Sequence, residues 1–319
     1  MDLKTTIVVC TPEFLPKYLE VVECLDEDAR PKLFVMHSTE TPANNNKRWR
    51  CFDDFCKDDG DDLPKETSLK AYNSQSPLAV LWTAGTTGSP KGILHCHQTL
   101  HNVGYLKNIC NTSLITNVAY HMAGFLHHLA TGILGRTTSY FIKEQDFSGN
   151  SYLNALESYQ IEYFVCSVAS FTSILNARSL NTKLNLKIVT PIGGTLSPST
   201  VTKVMGILGS SVRCVKIYGG TELGFIAKGL FDQDYTNIGL LSPGAQIYIA
   251  DLNTKTPVGP NNKGIMMVKT RNMMLGYVKE MDNIESFDGQ GFVNTGDVGF
   301  YDNEGNVHLV YRKKDVLKV

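Results

Sequence analysis

An excess of charge of one sign is absent from this chain: 30 Lys and Arg stand against 31 Asp and Glu in 319 residues, a net charge of -1. There is no basic field to hold a phosphate backbone, so proteins that bind nucleic acid through such a field are excluded. Long hydrophobic runs are missing as well. No apolar stretch approaches the ~20 residues of a membrane-crossing helix, and no membrane span is expected. The opening MDLKTTIVVCTPEFL has a short apolar run but no small-residue cleavage site, which argues against a secretory signal. The ending YRKKDVLKV carries no sorting tripeptide. The eight cysteines form no C-x-x-C pair. Without a secretory route they read as reduced thiols, mostly core, and Asn111-Thr112-Ser113 reads as a chance match to a glycosylation acceptor. Cys96 with His95, His97 and His101 fits no standard zinc spacing. Internal repeats and low-complexity linkers are also absent. An intracellular rather than secreted protein is expected.

What is present is the pattern of an α/β protein. Hydrophobic residues make up 42% and charged residues 19%, as in ordinary globular chains. The β-branched runs TTIVV (5–9), KLFVM (32–36), LAVLW (78–82), EYFVC (162–166), LKIVT (186–190) and RCVKI (213–217) read as strands. Their nearly unbroken hydrophobicity suits sheets covered on both faces. Helical patterns lie between them. Ser197 caps and Pro198 starts a helix whose Val201, Val204, Met205 and Leu208 fall at i, i+3, i+4, i+7. This alternation predicts largely parallel sheets. From about residue 238 the turn signals crowd together (Pro243-Gly244, Val258-Gly259-Pro260, Asp288-Gly289, Glu304-Gly305), with short strands at 246–251 and 264–270 between them. That section reads as all-β. The acidic run at 53–62 reads as a solvated loop.

The most informative segment is Thr83-Ala-Gly-Thr-Thr-Gly-Ser-Pro-Lys-Gly92, directly after the strand LAVLW. Gly85, Gly88 and Gly92 let backbone N–H groups approach a polyanion closely. Thr83, Thr86, Thr87 and Ser89 add hydroxyls, and Lys91 adds a mobile positive charge. The Gly-Lys-Ser/Thr ending of a Walker A loop is absent at the required spacing. Further along, Tyr218-Gly-Gly-Thr-Glu222 follows the strand RCVKI and offers a ring, a flexible turn, a hydroxyl and a carboxylate. Asn294-Thr-Gly-Asp297 precedes a strand-turn-strand, and Tyr311-Arg-Lys-Lys-Asp-Val-Leu-Lys318 forms a basic cluster.

Taken in this order, the four segments resemble the signatures of the adenylate-forming enzymes: acyl-CoA synthetases, coumarate ligases, beetle luciferases and peptide-synthetase adenylation domains. The resemblance implies two largely parallel α/β sheet subdomains plus a small distorted β-barrel. On this reading residues 1–110 hold the first α/β subdomain, 111–237 the second and 238–310 the barrel, with a hinge at 311–319. It implies that Thr83, Gly85, Thr86, Thr87, Gly88 and Lys91 hold the outer phosphates of ATP. Tyr218 and Gly219 would meet adenine, Thr221 the phosphate, and Glu222 would bind Mg²⁺, which prefers hard oxygen donors. Asp297 would accept from the ribose hydroxyls, Arg312 would contact ribose or α-phosphate, and Lys314 would be the hinge residue. Two further segments fit the family. Tyr120-His-Met-Ala-Gly124 resembles its His-x-x-Gly stretch and implies that His121 flanks the carboxylate and α-phosphate. Ile192-Gly-Gly-Thr-Leu-Ser197 resembles its Gly-Gly loop and implies that Gly193 and Gly194 line the adenine and acyl pockets; it is one residue shorter than common versions.

The family expectation is ATP-dependent activation of a fatty or aromatic acid to acyl-AMP, followed by thioester formation with coenzyme A, in a peroxisomal or cytoplasmic protein. An inactive nucleotide- or acyl-binding paralogue is the alternative, because Ala84 stands where the family has a second hydroxyl residue. The phosphate loop starts earlier in this chain than in the family, so a further segment of about one small domain (~100 residues) is expected before it. A smaller C-terminal domain is expected beyond the hinge. Replacing Lys91 with Ala removes a charge-assisted contact, and ATP affinity is expected to fall roughly tenfold or more. AMP lacks the outer phosphates and should bind as before. Calorimetry with both nucleotides checks this.

Overall fold

The β-branched runs become strands at nearly the predicted places, and the hydrogen-bond ladders decide how they pair. The structure, a computed structural model, describes residues 5–36, 49–52, 73–83, 90–101, 109–180, 182–231, 235–279 and 287–313. Gly85, Thr86, Thr87, Gly88, Ala84 and Ser89 of the phosphate loop, the hinge residue Lys314 and the acidic run 53–62 lie outside the described residues. The chain divides into two compact units, residues 1–73 and 74–319.

In the first unit, β1 (Ile7–Cys10) and β2 (Lys32–Val35) pair in parallel, with Ile7 opposite Lys32, and β3 (Arg50–Cys51) adds to β2. The helix Leu15–Glu23 forms the crossover that parallel pairing requires. Val8, Leu15, Leu33 and Val35 close its core against Tyr18, Leu19 and Trp49.

The second unit opens with a departure from parallel pairing. β4 (Pro77–Trp82) and β5 (Gly92–Cys96) form an antiparallel hairpin, Trp82 opposite Gly92. Next come β6 (Thr112–Ile115), β7 (Thr138–Tyr140), β8 (Tyr163–Ser167), β9 (Ile188–Ile192), β10 (Arg213–Gly220), β11 (Gly224–Leu230) and β12 (Leu240–Leu241). They build one seven-stranded sheet in the order β12-β11-β10-β9-β8-β6-β7. Pairing is parallel from β7 to β10 and antiparallel where β11 and β12 extend the edge. Both faces of the parallel part are used, as continuous hydrophobicity predicts. Leu114, Phe164, Cys166, Val189 and Cys214 pack with the helices Gly149–Ser158, Val168–Ser173 and Pro198–Leu208. Ile115, Tyr163 and Val165 face the other way, toward Met122 and Leu126. The helix Pro198–Leu208 begins as read from sequence: the Ser197 hydroxyl accepts from the Thr200 N–H at 3.1 Å, Pro198 sits in the first turn, and Val201, Val204 and Leu208 are buried.

The turn-rich section gives β13 (Gln246–Ala250), β14 (Gly264–Lys269), β15 (Gly276–Tyr277), β16 (Val293–Tyr301) and β17 (Val307–Arg312). Four of them form an antiparallel sheet, β13-β14-β16-β17, while β15 returns to pair with β5 of the first hairpin. Isolated bridges join Asn237 to His308, Ala250 to Pro257 and Phe287 to Val293. Ile226, Ile249, Met266, Val268 and Val293 share a core, so this sheet is fastened to β11. Among the described residues no helix is long and apolar enough to cross a membrane.

One buried titratable group makes the fold sensitive to acid. His127 ends the helix Met122–His127 with its ring sealed in. Its Nδ1 donates to the Ala123 carbonyl at 2.7 Å, and its Nε2 lies 3.3 Å from the Tyr163 hydroxyl. Burial is the main cause that lowers its pKa to about 4. The unfolded chain holds its histidines near ~6.5 and takes up the proton first as pH falls. The stabilising contribution of the neutral ring is complete above pH ~6.5, declines on acidification and is gone once the pH passes about 4. Urea unfolding between pH 7 and 4 is expected to show falling stability, with a slope approaching ~1.4 kcal/mol per pH unit for this group. The slope should be shallower in His127→Gln.

Candidate functional site

The β4–β5 hairpin brings the two ends of the predicted phosphate loop together. The Thr83 N–H donates to the Lys91 carbonyl at 3.0 Å, and the Lys91 N–H donates to Thr83 Oγ1 at 3.4 Å. The side chain of Lys91 extends over the ring of Tyr277, with Nζ 5.2 Å from its centroid. Tyr277 is held beside it because β15 pairs with β5, Tyr277 opposite Ile93. The Tyr277 hydroxyl donates to Glu222 Oε1 at 3.1 Å. Two residues predicted to handle phosphate and metal are therefore joined through a third that has no place in the sequence motifs.

Tyr218-Gly-Gly-Thr-Glu222 is less of a turn than its composition suggests. Tyr218, Gly219 and Gly220 belong to β10, and only Thr221, Glu222 and Leu223 turn into β11. The β10–β11 ladder shifts register between Tyr218 and Gly219. There the chains approach so closely that a Cβ on Gly219 would sit 2.4 Å from the Gly224 carbonyl oxygen. This contact, rather than left-handed backbone, demands the glycine. Underneath, His95 of β5 is buried, and burial lowers its pKa to about 4, outweighing the opposing effect of the Thr221 backbone. A neutral imidazole therefore underlies the turn at physiological pH.

Asn294-Thr-Gly-Asp297 does not precede the strand-turn-strand but lies inside its first strand, β16. The β14–β16 ladder passes from Met267 opposite Asn294 to Ile265 opposite Val298, so Thr295, Gly296 and Asp297 bulge out of register. The bulge is locked locally. Thr295 Oγ1 donates to the Met266 carbonyl at 2.8 Å, and the Gly296 N–H donates to Asn294 Oδ1 at 2.9 Å. Asp297 turns inward, its side chain 6% exposed, and meets two donors. The Tyr218 hydroxyl donates to Oδ2 at 2.8 Å and Arg312 Nε to Oδ1 at 2.8 Å. Arg312 is the cross-strand partner of Asp297 in β17 and keeps its side chain 55% exposed. Burial, and then the Asp297 carboxylate, push the Tyr218 phenol pKa well up, so its proton stays in place.

Hydrogen bonds and ring contacts thus gather five predicted residues into two groups, Tyr218–Asp297–Arg312 and, through the unpredicted Tyr277, Lys91–Tyr277–Glu222, with Thr221 on the β10–β11 hairpin. Gly193, Gly194 and His121 stand outside both groups among the described residues. Gly193 (φ +94°) and Gly194 form an exposed turn at the end of β9, and His121 is exposed before the helix Met122–His127, its ring 4.9 Å from that of Tyr120. The ends of β9 and β10 both carry motif residues, as expected where ligands bind at the carboxyl ends of parallel strands. A cavity of about 570 Å³ lies elsewhere on this sheet, lined by Ile188, Thr190, Val215, Ile217, Lys228 and Leu240 among others, and by none of the motif residues. Tyr277 could have been found from the sequence only by the Gly-Tyr that ends the turn-rich stretch 271–277, which carries no chemistry of its own.

Sheet order and site together define a protein of the adenylate-forming fold. A profile of the AMP-binding enzyme family matches residues 4–278, and the chain belongs to that family. It is 27% identical over 268 residues to 4-coumarate–CoA ligase-like 2 of Arabidopsis thaliana, covering 80% of this chain and 47% of that protein. It is 26% identical over 334 residues to the luciferin 4-monooxygenase of Luciola mingrelica, covering 98% of this chain and 59% of that protein. The chain therefore spans about half the length of the curated relatives it matches. ATP-bound MatB from Rhodopseudomonas palustris has the same fold, with a TM-score of 0.78 at 21% identity over 98% of this chain and 60% of that one.

The Asp297 cluster should behave as one unit in stability measurements. Asp297→Ala strands the Tyr218 hydroxyl without its acceptor, and a loss of ~1–3 kcal/mol is expected. In the Tyr218→Phe background the same change should cost distinctly less, because no hydroxyl remains to be stranded. Urea titration of the four proteins in this cycle provides the check.

Proposed function

We propose that the chain binds ATP·Mg²⁺ and joins a carboxylic acid to the α-phosphate, giving acyl-AMP and pyrophosphate, and that acyl-AMP then acylates the thiol of coenzyme A. A fatty or aromatic acid is the proposed substrate. One observation carries the reading: a buried carboxylate, an aromatic residue and an arginine meet at Asp297, while a lysine and a second carboxylate each contact one tyrosine, Tyr277. A nucleotide offers the complementary sequence of base, ribose and phosphates.

In this reading the ring of Tyr218 receives adenine and Gly219 lets the backbone lie close to it. Asp297 accepts hydrogen bonds from the ribose hydroxyls, with Arg312 balancing its charge and reaching ribose or α-phosphate. Thr221 meets the phosphate, and Thr83, Gly85, Thr86, Thr87, Gly88 and Lys91 hold the outer phosphates. Mg²⁺ arrives with ATP as substrate. Among the described residues no group of three or more His, Cys, Asp or Glu gathers into a metal site, so a resident metal has no cage there. A single half-buried carboxylate, Glu222, suits an ion that keeps its waters and takes further ligands from phosphates. His121 flanks the acyl carboxylate, Gly193 and Gly194 line the adenine and acyl pockets, and Lys314 is the hinge. The division at about 110 and 237 into two α/β subdomains and a β-section belongs to the same proposal.

The chemistry asked of these residues is positioning and charge neutralisation. A carboxylate oxygen attacks the α-phosphorus, the bond to the bridging oxygen breaks, and pyrophosphate leaves with the electron pair. On this reading Lys91 and the loop amides neutralise that charge as it grows. In the second step the thiol sulfur attacks the acyl carbonyl, AMP departs, and the thiol proton passes to solvent. The test is pyrophosphate release from ATP·Mg²⁺ over a panel of fatty and aromatic acids, with acyl-AMP identified by mass. Release dependent on one acid class is expected. ATP binding without release for any acid would replace the reading with that of a non-catalytic nucleotide binder, which Ala84 in the phosphate loop already suggests.

A further inference from the structure

The contacts of Tyr277 have no part in the reading above. The side chain stands between the two ion-handling residues and touches both, its hydroxyl 3.1 Å from Glu222 Oε1 and its ring 5.2 Å beneath Lys91 Nζ. Lys91 and Glu222 belong to different sheets. Lys91 precedes β5 in the three-stranded sheet, and Glu222 follows β10 in the seven-stranded one. The short segment Met274–Val278 ties the two together through its backbone. The Met274 N–H donates to the Glu222 carbonyl at 2.8 Å, the Leu275 N–H to the Leu94 carbonyl at 2.8 Å, and the Val278 N–H to the Gly92 carbonyl at 2.9 Å. The backbone around Tyr277 is therefore pinned to both sheets, and the side chain is not one that merely drifts across a cleft.

We propose that Tyr277 is a positioning residue that fixes Lys91 and Glu222 as one polyphosphate- and Mg²⁺-binding unit, each group held by a different part of the same side chain. Donation of the phenol O–H to a carboxylate gives the oxygen partial phenolate character, which raises electron density in the ring, and an electron-richer ring attracts the ammonium more strongly. The two contacts reinforce each other. They also keep opposite charges apart: without the ring, the flexible lysine would be free to pair with Glu222, cancelling the cation meant for the phosphate and the anion meant for the metal. The Tyr218–Asp297–Arg312 group, assigned above to base and ribose, is built from β10, β16 and β17, whereas Tyr277 stands on β15 against β5. Its influence should therefore be confined to the outer phosphates and the ion.

The inference rests on the nucleotide-binding reading, and the test separates the two. ATP and AMP are titrated by calorimetry into wild type, Tyr277→Phe, Tyr277→Leu, Glu222→Gln and the Tyr277→Phe/Glu222→Gln double variant, with and without Mg²⁺. Tyr277→Phe keeps the ring and loses the hydroxyl. It is expected to weaken ATP about fivefold or more when Mg²⁺ is present, to raise the Mg²⁺ concentration needed for tight binding, and to leave AMP unchanged. Tyr277→Leu loses the ring too and should weaken ATP a further ~2- to 5-fold even without Mg²⁺, again sparing AMP. The double variant should bind ATP·Mg²⁺ no worse than Glu222→Gln alone, since the hydroxyl acts through that carboxylate. A general packing role would lower AMP and ATP affinity together and add to Glu222→Gln. That pattern, or a Tyr277→Phe protein indistinguishable from wild type, overturns the proposal while the nucleotide reading stands. A cooperatively melting wild type that binds neither nucleotide ends both.

Discussion

A carboxylate taken out of water must be met by donors, and in this structure Asp297 gathers the site around that requirement. Its two oxygens are satisfied by Tyr218 from the seven-stranded sheet and Arg312 from the neighbouring strand of the four-stranded sheet. One ionised group thereby fixes how β10, β16 and β17 stand relative to one another. An ion pair with an exposed arginine adds little stability by itself. The half-buried phenol, which would lose its acceptor, makes the arrangement costlier to break.

The rest of the site hangs from the same hairpin. From Tyr218 the chain passes through the crowded Gly219, turns at Thr221 and Glu222, and returns as β11. The Glu222 carboxylate then reaches Tyr277, and Tyr277 reaches Lys91 at the foot of the glycine-rich loop. Segments more than a hundred residues apart in sequence are therefore within two side-chain contacts of each other. Neutral His95 adds no charge beneath the turn.

The strands were legible because each needs only a local run of β-branched residues, and the helix after Ser197 because its cap, its proline and its apolar spacing are all local. The pairing of LAVLW was not, since antiparallel union with Gly92–Cys96 depends on the chain turning back across the loop rather than on anything within the strand. The motif residues Tyr218, Asp297, Arg312, Lys91 and Glu222 could be singled out by type and order. Their grouping could not, because it rests on a bulge in β16 and a register shift in β10, features of ladders between distant segments. Tyr277 was invisible for the plainest reason: a tyrosine after glycine in a turn-rich stretch has no signature until β15 is seen against β5.

The bulge at Thr295–Asp297 also bears on how this segment tolerates change of length. In a strand, removing one residue sends every following side chain to the opposite face. Here a single deletion within Thr295-Gly296 would leave β14, β16 and β17 able to pair while presenting Asp297 to the wrong side, with Val298 swung into its place. A protein altered in this way would lose the Asp297 cluster and turn the buried Val298 out of the core together. Lineages that drift through small insertions and deletions would be expected to spare this stretch of β16 even where they lengthen or shorten the turns on either side of it.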